Sequence, residues 1–297
     1  MKNLVYITGF DRSGSTLVMN YLSNAYGMIA VGETKHLFND GMNFNSTLCS
    51  CGELLKNCPI WSRIENELIE NNIEKNNIFF KKYLRNSSVL NFLFNKRFLE
   101  RFSSNNTLKD IENVFFALNH DNIIDSSKTI TYGHVLSKFP KDNFINILVI
   151  RNPIGVFNSM KKKMKKREII NEKSYMFQTK NYFFVSIRWV LINSLAILLN
   201  CYKKNFFIIK YEDFILNPKK QLKKVGIILN KESNLGDEFH MMREFDHSIS
   251  GNPSRMTKRI KFQLDNEWVK KIPFYQRAII YLICFPLMIK FKYSWKK

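Results

Sequence analysis

The sequence predicts an α/β fold, a three-layer arrangement in which helices flank a central, mostly parallel sheet. Short runs of β-branched and aromatic residues alternate with helical stretches, and each run ends in polar residues, as is typical of this class. The chain has 297 residues, 45% of them apolar, and can bury roughly three quarters of the surface that it exposes when unfolded. Disorder is therefore excluded as its main state. We expect the functional site at the carboxyl ends of the strands.

Five apolar runs predict the strands. The first is followed at once by a glycine-containing loop and then by a helical pattern, which gives the order strand, loop, helix. The fourth run is the clearest, and Pro153 comes just after it, at a position suited to the first turn of a helix. In chain order the predicted strands are Asn3 to Thr8, Met28 to Val31, Asn122 to Asp125, Asn143 to Ile150 and Asn205 to Lys210.

The stretch between the second and third strands is too long for one crossover. Residues 61–118 carry helical periodicity with aromatic and basic residues mixed. We interpret them as a helical insertion, a lid or an acceptor-binding subdomain, within a single domain that covers residues 1–297.

The chain is strongly basic, since 46 Lys and Arg against 25 Asp and Glu give a formal net charge of +21. Such a charge favours anionic partners, although Lys is used heavily throughout, notably in the run from Lys161 to Arg167. The amino terminus lacks the pattern of a secretory signal, and the longest apolar run, Ala278 to Ile289, is shorter than a membrane span. We expect a cytoplasmic protein. For the apolar and basic carboxyl-terminal stretch, packing on the fold is favoured over peripheral membrane contact.

Cysteine usage points away from a disulfide framework, because five cysteines in a chain without an export signal suit a reducing compartment. Cys49, Cys51 and Cys58 offer three thiols, whereas a structural zinc site usually needs four ligands. Nothing in the sequence indicates His36 as the fourth. We therefore predict no metal site and interpret the segment as a turn that leads into the insertion.

The loop after the first strand has the spacing of a phosphate-binding loop, Gly9-x4-Gly14-Ser15-Thr16. Backbone N–H groups of such a loop and the following helix N-terminus hold phosphate oxygens. Ser15 replaces the lysine that a nucleoside triphosphatase uses to reach the β- and γ-phosphates, and Arg12 supplies a cation inside the loop instead. The loop suits a 5′-phosphate with an attached anionic group better than a triphosphate.

Two segments resemble sulfotransferases that use 3′-phosphoadenosine 5′-phosphosulfate (PAPS). The segment GFDRSGSTLV resembles their 5′-phosphosulfate loop, and INILVIRNPIGVFNS resembles their 3′-phosphate element. The resemblance implies a P-loop NTPase-like fold and a sulfotransferase of the EC 2.8.2 type. Four further pieces resemble bacterial members and follow the family order: CSCGELLKNCPIW, IIDSSK, YEDF and HSISGNPSR.

The resemblance also implies which residues hold PAPS. Arg151 and Ser159 would clamp the ribose 3′-phosphate, and Arg255 would close over it from a late loop. The 5′ end would lie on the loop residues Arg12, Ser13, Gly14, Ser15 and Thr16. Physical reasoning agrees, because a ligand with two separated anionic ends needs two cationic clamps on neighbouring strand ends.

Sulfuryl transfer is an in-line displacement that needs positioning, charge neutralisation and a base, and demands no metal. Glu33 is the predicted base, since the Gly32-Glu33 pair resembles that of tyrosylprotein sulfotransferases, and His36 is the alternative. Lys128 and Arg12 are predicted to stabilise charge as the adenosine bisphosphate leaves.

The expected acceptor is a hydroxyl of a carbohydrate, a lipid or another small molecule, with no specific nucleic-acid partner. A nucleotide or small-molecule kinase with a degenerate loop is the alternative function. A non-catalytic basic protein that binds nucleic acid or membrane is the third hypothesis, and it predicts strongly salt-dependent binding of polyanions.

Overall fold

The computed structural model describes residues 1–39, 42–64, 106–162, 176–233, 235, 238–240, 245–257 and 259–295. Within these ranges a five-stranded sheet, parallel throughout, forms the centre of the fold, with strand order β2-β3-β1-β4-β5. The prediction of an α/β fold is confirmed. The strands are β1 (Asn3–Gly9), β2 (Ile29–Gly32), β3 (Asn122–Lys128), β4 (Asn143–Ile150) and β5 (Phe206–Lys210).

Helices lie on both faces of this sheet. The structure also has a small antiparallel pair of strands, β6 (Glu238–His240) and β7 (Arg259–Lys261). Its described residues also form two 3-10 turns, Leu55–Asn57 and Pro253–Met256. The described helices are α1 (Ser15–Tyr26), α2 (Lys35–Asn39), α3 (Asn106–Ala117), α4 (Ile130–Leu136), α5 (Pro153–Lys161), α6 (Tyr182–Asn200), α7 (Tyr211–Leu216), α8 (Pro218–Leu229), α9 (Trp268–Lys271) and α10 (Phe274–Lys290).

The alternation of side chains along β1 divides the core between the two faces. Leu4 and Tyr6 face a cluster that includes residues of α3 and α4, whereas Val5 and Ile7 face a cluster built with α1 and α8. A third cluster joins the end of β4 to α5, α6 and α10. The three clusters give the three-layer arrangement.

Strand β4 passes into α5 through a capped turn, as Pro153 predicts. The Asn152 side chain accepts a hydrogen bond from the Ile154 N–H at 2.9 Å, and Pro153 stands in the first turn of the helix. Strand β3 is longer than predicted, because it continues past Asp125 to Lys128. The extension brings Lys128 to the carboxyl-terminal end of the sheet, beside the end of β1.

The outer edge of β2 is covered by the segment 245–249. The Ala30 N–H donates to the Phe245 carbonyl at 2.7 Å, and the His247 and Ile249 N–H groups donate to the carbonyls of Ala30 and Val31 at 2.9 and 3.2 Å. This late segment therefore continues the hydrogen bonding of the sheet beyond its edge strand.

Most of the predicted insertion, residues 65–105, lies outside the described residues, as do residues 163–167 of the basic run. At the two described ends of the insertion, Trp61 and Ile64 pack in one core cluster with Ile111 and Val114 of α3. The lid and the single domain stay predictions.

Helix α6 has 19 residues and a mean hydropathy of 1.8, so by length and composition alone it could cross a membrane. It packs against α10, and the Trp189 indole on its buried face donates to the Arg151 carbonyl at 3.1 Å. The core helix of a globular protein gives the same pattern. Membrane contact and cytoplasmic location stay predictions.

Candidate active site

The carboxyl ends of β1, β2, β3 and β4 open onto a cavity of about 600 Å³. Parallel strands bring their ends to one edge, and this is why residues far apart in sequence meet here. Many of the predicted site residues line the cavity: Arg12, Gly14, Ser15, Thr16, Glu33, His36, Lys128, Arg151 and Ser159.

The loop between β1 and α1 depends on two left-handed residues, Arg12 with φ 64° and Gly14 with φ 97°. A Cβ atom at Gly14 would collide with the ring of Tyr211, so the loop conformation requires glycine. Gly14, Ser15 and Thr16 line the cavity, so the N-terminus of helix α1, which begins at Ser15, faces it. The first turn of this helix has no acidic residue and no side-chain cap that would offset its positive end. Ser13 is buried and does not line the cavity, and its Oγ has no hydrogen-bond partner among the described residues.

Arg151, at the end of β4, connects the two predicted clamps. One guanidinium nitrogen donates to the Arg12 carbonyl at 3.2 Å, and the other donates to Asp265 Oδ2 at 2.8 Å. The guanidinium also lies 4.5 Å from the centre of the Tyr211 ring. Ser159 lines the cavity from α5. These contacts hold a buried cation at the cavity wall, and they pair it with a carboxylate that the sequence did not indicate.

Glu33 and Lys128 form an ion pair at the ends of β2 and β3. Lys128 Nζ lies 2.5 Å from Glu33 Oε1 and 3.8 Å from Asp11 Oδ1. Lys128 has a left-handed backbone with φ 66°, a strained conformation for a residue with a side chain, and such strain is common at functional sites. Burial opposes the charge of Lys128, but the neighbouring carboxylates outweigh it and raise its pKa.

Two further groups surround the Glu33 carboxylate. Its Oε2 lies 3.2 Å from Lys35 Nζ and 3.5 Å from His36 Nε2. Burial alone would raise the pKa of Glu33, but Lys128, Lys35 and His36 together hold this pKa well below its usual value. In this arrangement Glu33 is ionised at neutral pH, and its partners hold it as a weak base.

Acidic side chains, one buried and one partly buried, fix the strand ends that carry these groups. Asp125 accepts hydrogen bonds from the Ser127 N–H at 2.7 Å and from the Thr34 hydroxyl, which bind the end of β3 to the turn after β2. Burial raises the pKa of Asp125 to about 6. Glu212 Oε1 accepts from the Asn152 N–H at 2.9 Å, next to Arg151. The IIDSSK and YEDF segments thus have a positioning role in the structure.

Arg255, which was expected to close over the 3′-phosphate, lies away from the cavity in this structure. This side chain is 1% exposed and does not line the cavity, because it donates to the backbone carbonyls of Ser248 and, at 3.3 Å, Leu48. The 3-10 turn Pro253–Met256 directs it inward, whereas Arg259, four residues later, lines the cavity. The late loop therefore presents Arg259 to the cavity.

Sequence reasoning missed several residues that line the cavity or contact its lining residues. Asn20 lies on α1 one helical turn beyond Thr16, a spacing that the phosphate-binding motif does not include. Lys35 could have been predicted, because it follows the predicted base Glu33 by two residues. A cation so close to a carboxylate lowers the pKa of that carboxylate. Tyr211 and Asp265 reach Arg151 only through the tertiary fold.

Comparison with known proteins points to one family. A family model described as "Sulfotransferase family" matches residues 5–230. The sulfotransferase domain of the Synechococcus PCC 7002 olefin synthase is similar to this chain with 17% identity and a TM-score of 0.53, covering 99% of this chain and 95% of that one. The sulfotransferase domain of the curacin biosynthetic pathway is 14% identical, with a TM-score of 0.50 and 99% of each chain covered. No curated protein matches the sequence.

Proposed function

Because the chain belongs to the sulfotransferase family, we propose that it transfers the sulfuryl group of PAPS to a hydroxyl of a carbohydrate, lipid or small-molecule acceptor. One observation carries the donor assignment. The phosphate-binding loop with Arg12 and the Arg151–Ser159 pair line the same cavity from neighbouring strand ends. Two separated clamps of this kind suit a nucleotide with a phosphosulfate at one end and a 3′-phosphate at the other.

The proposed reaction is an in-line displacement at sulfur. The acceptor oxygen forms the new S–O bond while the bond between sulfur and the bridging phosphate oxygen breaks, and adenosine 3′,5′-bisphosphate leaves with the electron pair. The acceptor proton goes to the Glu33 carboxylate. Arg12, Lys128 and the N-terminus of α1 stabilise the charge that develops on the departing phosphate.

The ion pair between Glu33 and Lys128 suggests how the base becomes active. In this structure Lys128 Nζ lies 2.5 Å from Glu33 Oε1 and contributes to the low pKa of the carboxylate. A donor phosphate competes for the same ammonium group. Once Lys128 turns to the donor, the pKa of Glu33 rises and the carboxylate becomes a better base, so donor binding and base activation are coupled.

The residues of the phosphate-binding loop argue against the kinase alternative. Ser15 stands where a kinase of the P-loop type has the lysine that reaches the β- and γ-phosphates. The basic-binder alternative predicts affinity for polyanions in general and none for adenosine bisphosphate in particular.

Calorimetric titration of the full chain with adenosine 3′,5′-bisphosphate tests the proposal, beside a titration with ATP and magnesium. We expect micromolar binding of the bisphosphate and weaker binding of ATP. Arg151→Ala is expected to weaken bisphosphate binding about 30-fold or more, because truncating one partner of a buried charged pair costs roughly 2 kcal/mol or more.

Arg63→Ala is the matched control, since Arg63 is exposed and does not line the cavity. Its bisphosphate affinity should equal that of the unmodified chain. Preferred binding of ATP with magnesium would favour a kinase. Absence of binding by either nucleotide, together with salt-dependent polyanion binding, would favour the basic binder.

Asp265 is expected to compete with the 3′-phosphate for Arg151. Its Oδ2 accepts a hydrogen bond from the guanidinium at 2.8 Å. Asp265→Asn keeps an acceptor of the same shape and removes the negative charge, so bisphosphate affinity should rise roughly 3- to 10-fold, equivalent to about 1 kcal/mol. The same calorimetric titration measures it. Weaker binding in this variant would mean that Asp265 positions Arg151 and does not compete with the ligand.

A further inference from the structure

Three cysteines and one histidine converge beneath the wall of the cavity, outside the proposed reaction centre. Cys49, Cys51, Cys58 and His247 place one ligand atom each within 4.8 Å of one another. Cys58 Sγ lies 3.2 Å from His247 Nδ1, Cys49 Sγ lies 3.8 Å from the same nitrogen, and the two sulfurs are 3.6 Å apart. His247 supplies the fourth ligand that the cysteine spacing alone lacked.

We propose that Cys49, Cys51, Cys58 and His247 form a structural zinc site. A tetrahedral zinc ion, with Zn–S of about 2.3 Å and Zn–N of about 2.0 Å, separates its ligand atoms by about 3.5 to 3.8 Å. The distances between the ligand atoms of Cys49, Cys58 and His247, 3.2 to 3.8 Å, are close to this range. Thiolate and imidazole ligands in a tetrahedral set favour zinc among the common cellular cations.

Burial indicates a structural ion and not a catalytic one. Cys49 and Cys58 are fully buried and His247 is 3% exposed, while Cys51 is half-buried. Four protein ligands complete a tetrahedron and leave no position for water or substrate, as is typical of structural zinc. A disulfide is a less complete explanation, because it would use two of the thiols and leave the third thiol and the imidazole beside it unexplained.

The site would connect two distant parts of the chain. The cysteines lie on the turn before the insertion, whereas His247 lies in the segment 245–249 that pairs with β2. Polar contacts already join the two parts: Ser50 Oγ donates to Asp246 Oδ1 at 2.7 Å, and the Trp61 indole donates to the His247 carbonyl at 2.6 Å. A metal ion here would add a strong link to this junction.

The zinc site would be connected to the cavity by the short stretch of backbone from His247 to Gly251. Ser250 and Gly251, three and four residues beyond His247, line the cavity. A Cβ atom at Gly32, beside Glu33, would lie 2.8 Å from the Ser250 carbonyl, so the two backbones are in close contact. The zinc ion would therefore hold the wall against which Glu33 is placed, and this role does not depend on the proposed reaction.

The proposal is tested by measuring the metal content of the full chain. The protein is produced in cells supplied with zinc and purified without a metal-affinity resin. We expect about one zinc ion per chain by mass spectrometry. Cys58→Ser should lose most of the zinc, whereas Cys201→Ser, which changes an exposed cysteine outside the cluster, should keep all of it. Iron in place of zinc, or no metal with all five cysteines reduced, would overturn the assignment.

A second measurement uses the unmodified chain, because Cys58→Ser could fail to fold. Exchange of zinc for cobalt(II) should give thiolate-to-cobalt charge-transfer bands and the intense visible bands of tetrahedral cobalt. Removal of the metal by a chelator should lower the melting temperature by about 5 °C or more, and added zinc should restore it. Octahedral cobalt bands, an unchanged melting temperature, or a thiol count that reveals a disulfide would contradict the proposal.

Discussion

Glu33→Gln is expected to reduce the turnover number of sulfuryl transfer by about 10³-fold. Loss of a positioned general base typically costs between about 10² and 10⁴ in rate, and the amide keeps the shape of the side chain while losing its basicity. Bisphosphate affinity should not fall, and should rise by up to about tenfold, because the neutral amide no longer competes with the nucleotide for Lys128. Transfer of labelled sulfate from PAPS to an acceptor measures the rate, and calorimetry measures the affinity.

His36→Asn is the matched variant, since His36 is the alternative base and lies 3.5 Å from the Glu33 carboxylate. If Glu33 is the base, loss of His36 should change turnover by less than about fivefold, because it only raises the pKa of the carboxylate and leaves the base in place. The reverse pattern, with a small loss for Glu33→Gln and a large one for His36→Asn, would assign the proton transfer to the histidine.

Lys128→Met should reduce turnover by about 10²- to 10³-fold, the typical cost of removing one stabilising charge from a transition state. It should also move the acid limb of the pH profile. The net effect of its neighbours holds the pKa of Glu33 well below its usual value, and Lys128 is the foremost of those that lower it. Without the ammonium group this pKa rises, the carboxylate takes up a proton at higher pH, and activity is lost at a higher pH than in the unmodified enzyme. The pH dependence of kcat/KM measures this shift.

Lys128→Arg distinguishes the effect of the positive charge from the effect of its position. The variant keeps a cation beside Glu33 but replaces the ammonium group with a guanidinium group of different shape. Its acid limb should stay near that of the unmodified enzyme although its turnover falls. An acid limb that does not move in Lys128→Met would show that Lys128 does not control the ionisation of Glu33.

The sheet could be predicted because its signal is local. Each strand is a short apolar run with polar residues at its end, and the described structure has strands at all five predicted places. The end of β3 was placed too early because Ser126, Ser127 and Lys128 are polar, although Ser126 and Ser127 are buried and Lys128 is 9% exposed in the structure. Their burial depends on neighbouring strands that the sequence does not reveal.

The cavity residues that were predicted belong to motifs at strand ends, where sequence position translates directly into spatial position. Arg12, Glu33 and Arg151 are examples, and all line the cavity. The functional residues that were not predicted are brought together only by the tertiary fold. Asp265 reaches Arg151 over more than one hundred residues of chain, and His247 reaches the cysteines over nearly two hundred. The choice between Arg255 and Arg259 depends on the direction of a single 3-10 turn.

The pairing of the segment 245–249 with β2 has a consequence for synthesis on the ribosome. Strand β2 forms one edge of the sheet, and its outer partner is made about 215 residues after Ala30. At a synthesis rate of roughly 5 to 20 residues per second, the outer edge of this strand stays uncovered for about 10 to 40 s. An open strand edge is a template for pairing with other chains. Nascent chains that end before Phe245 should therefore aggregate, and slower translation should lower the yield of folded protein.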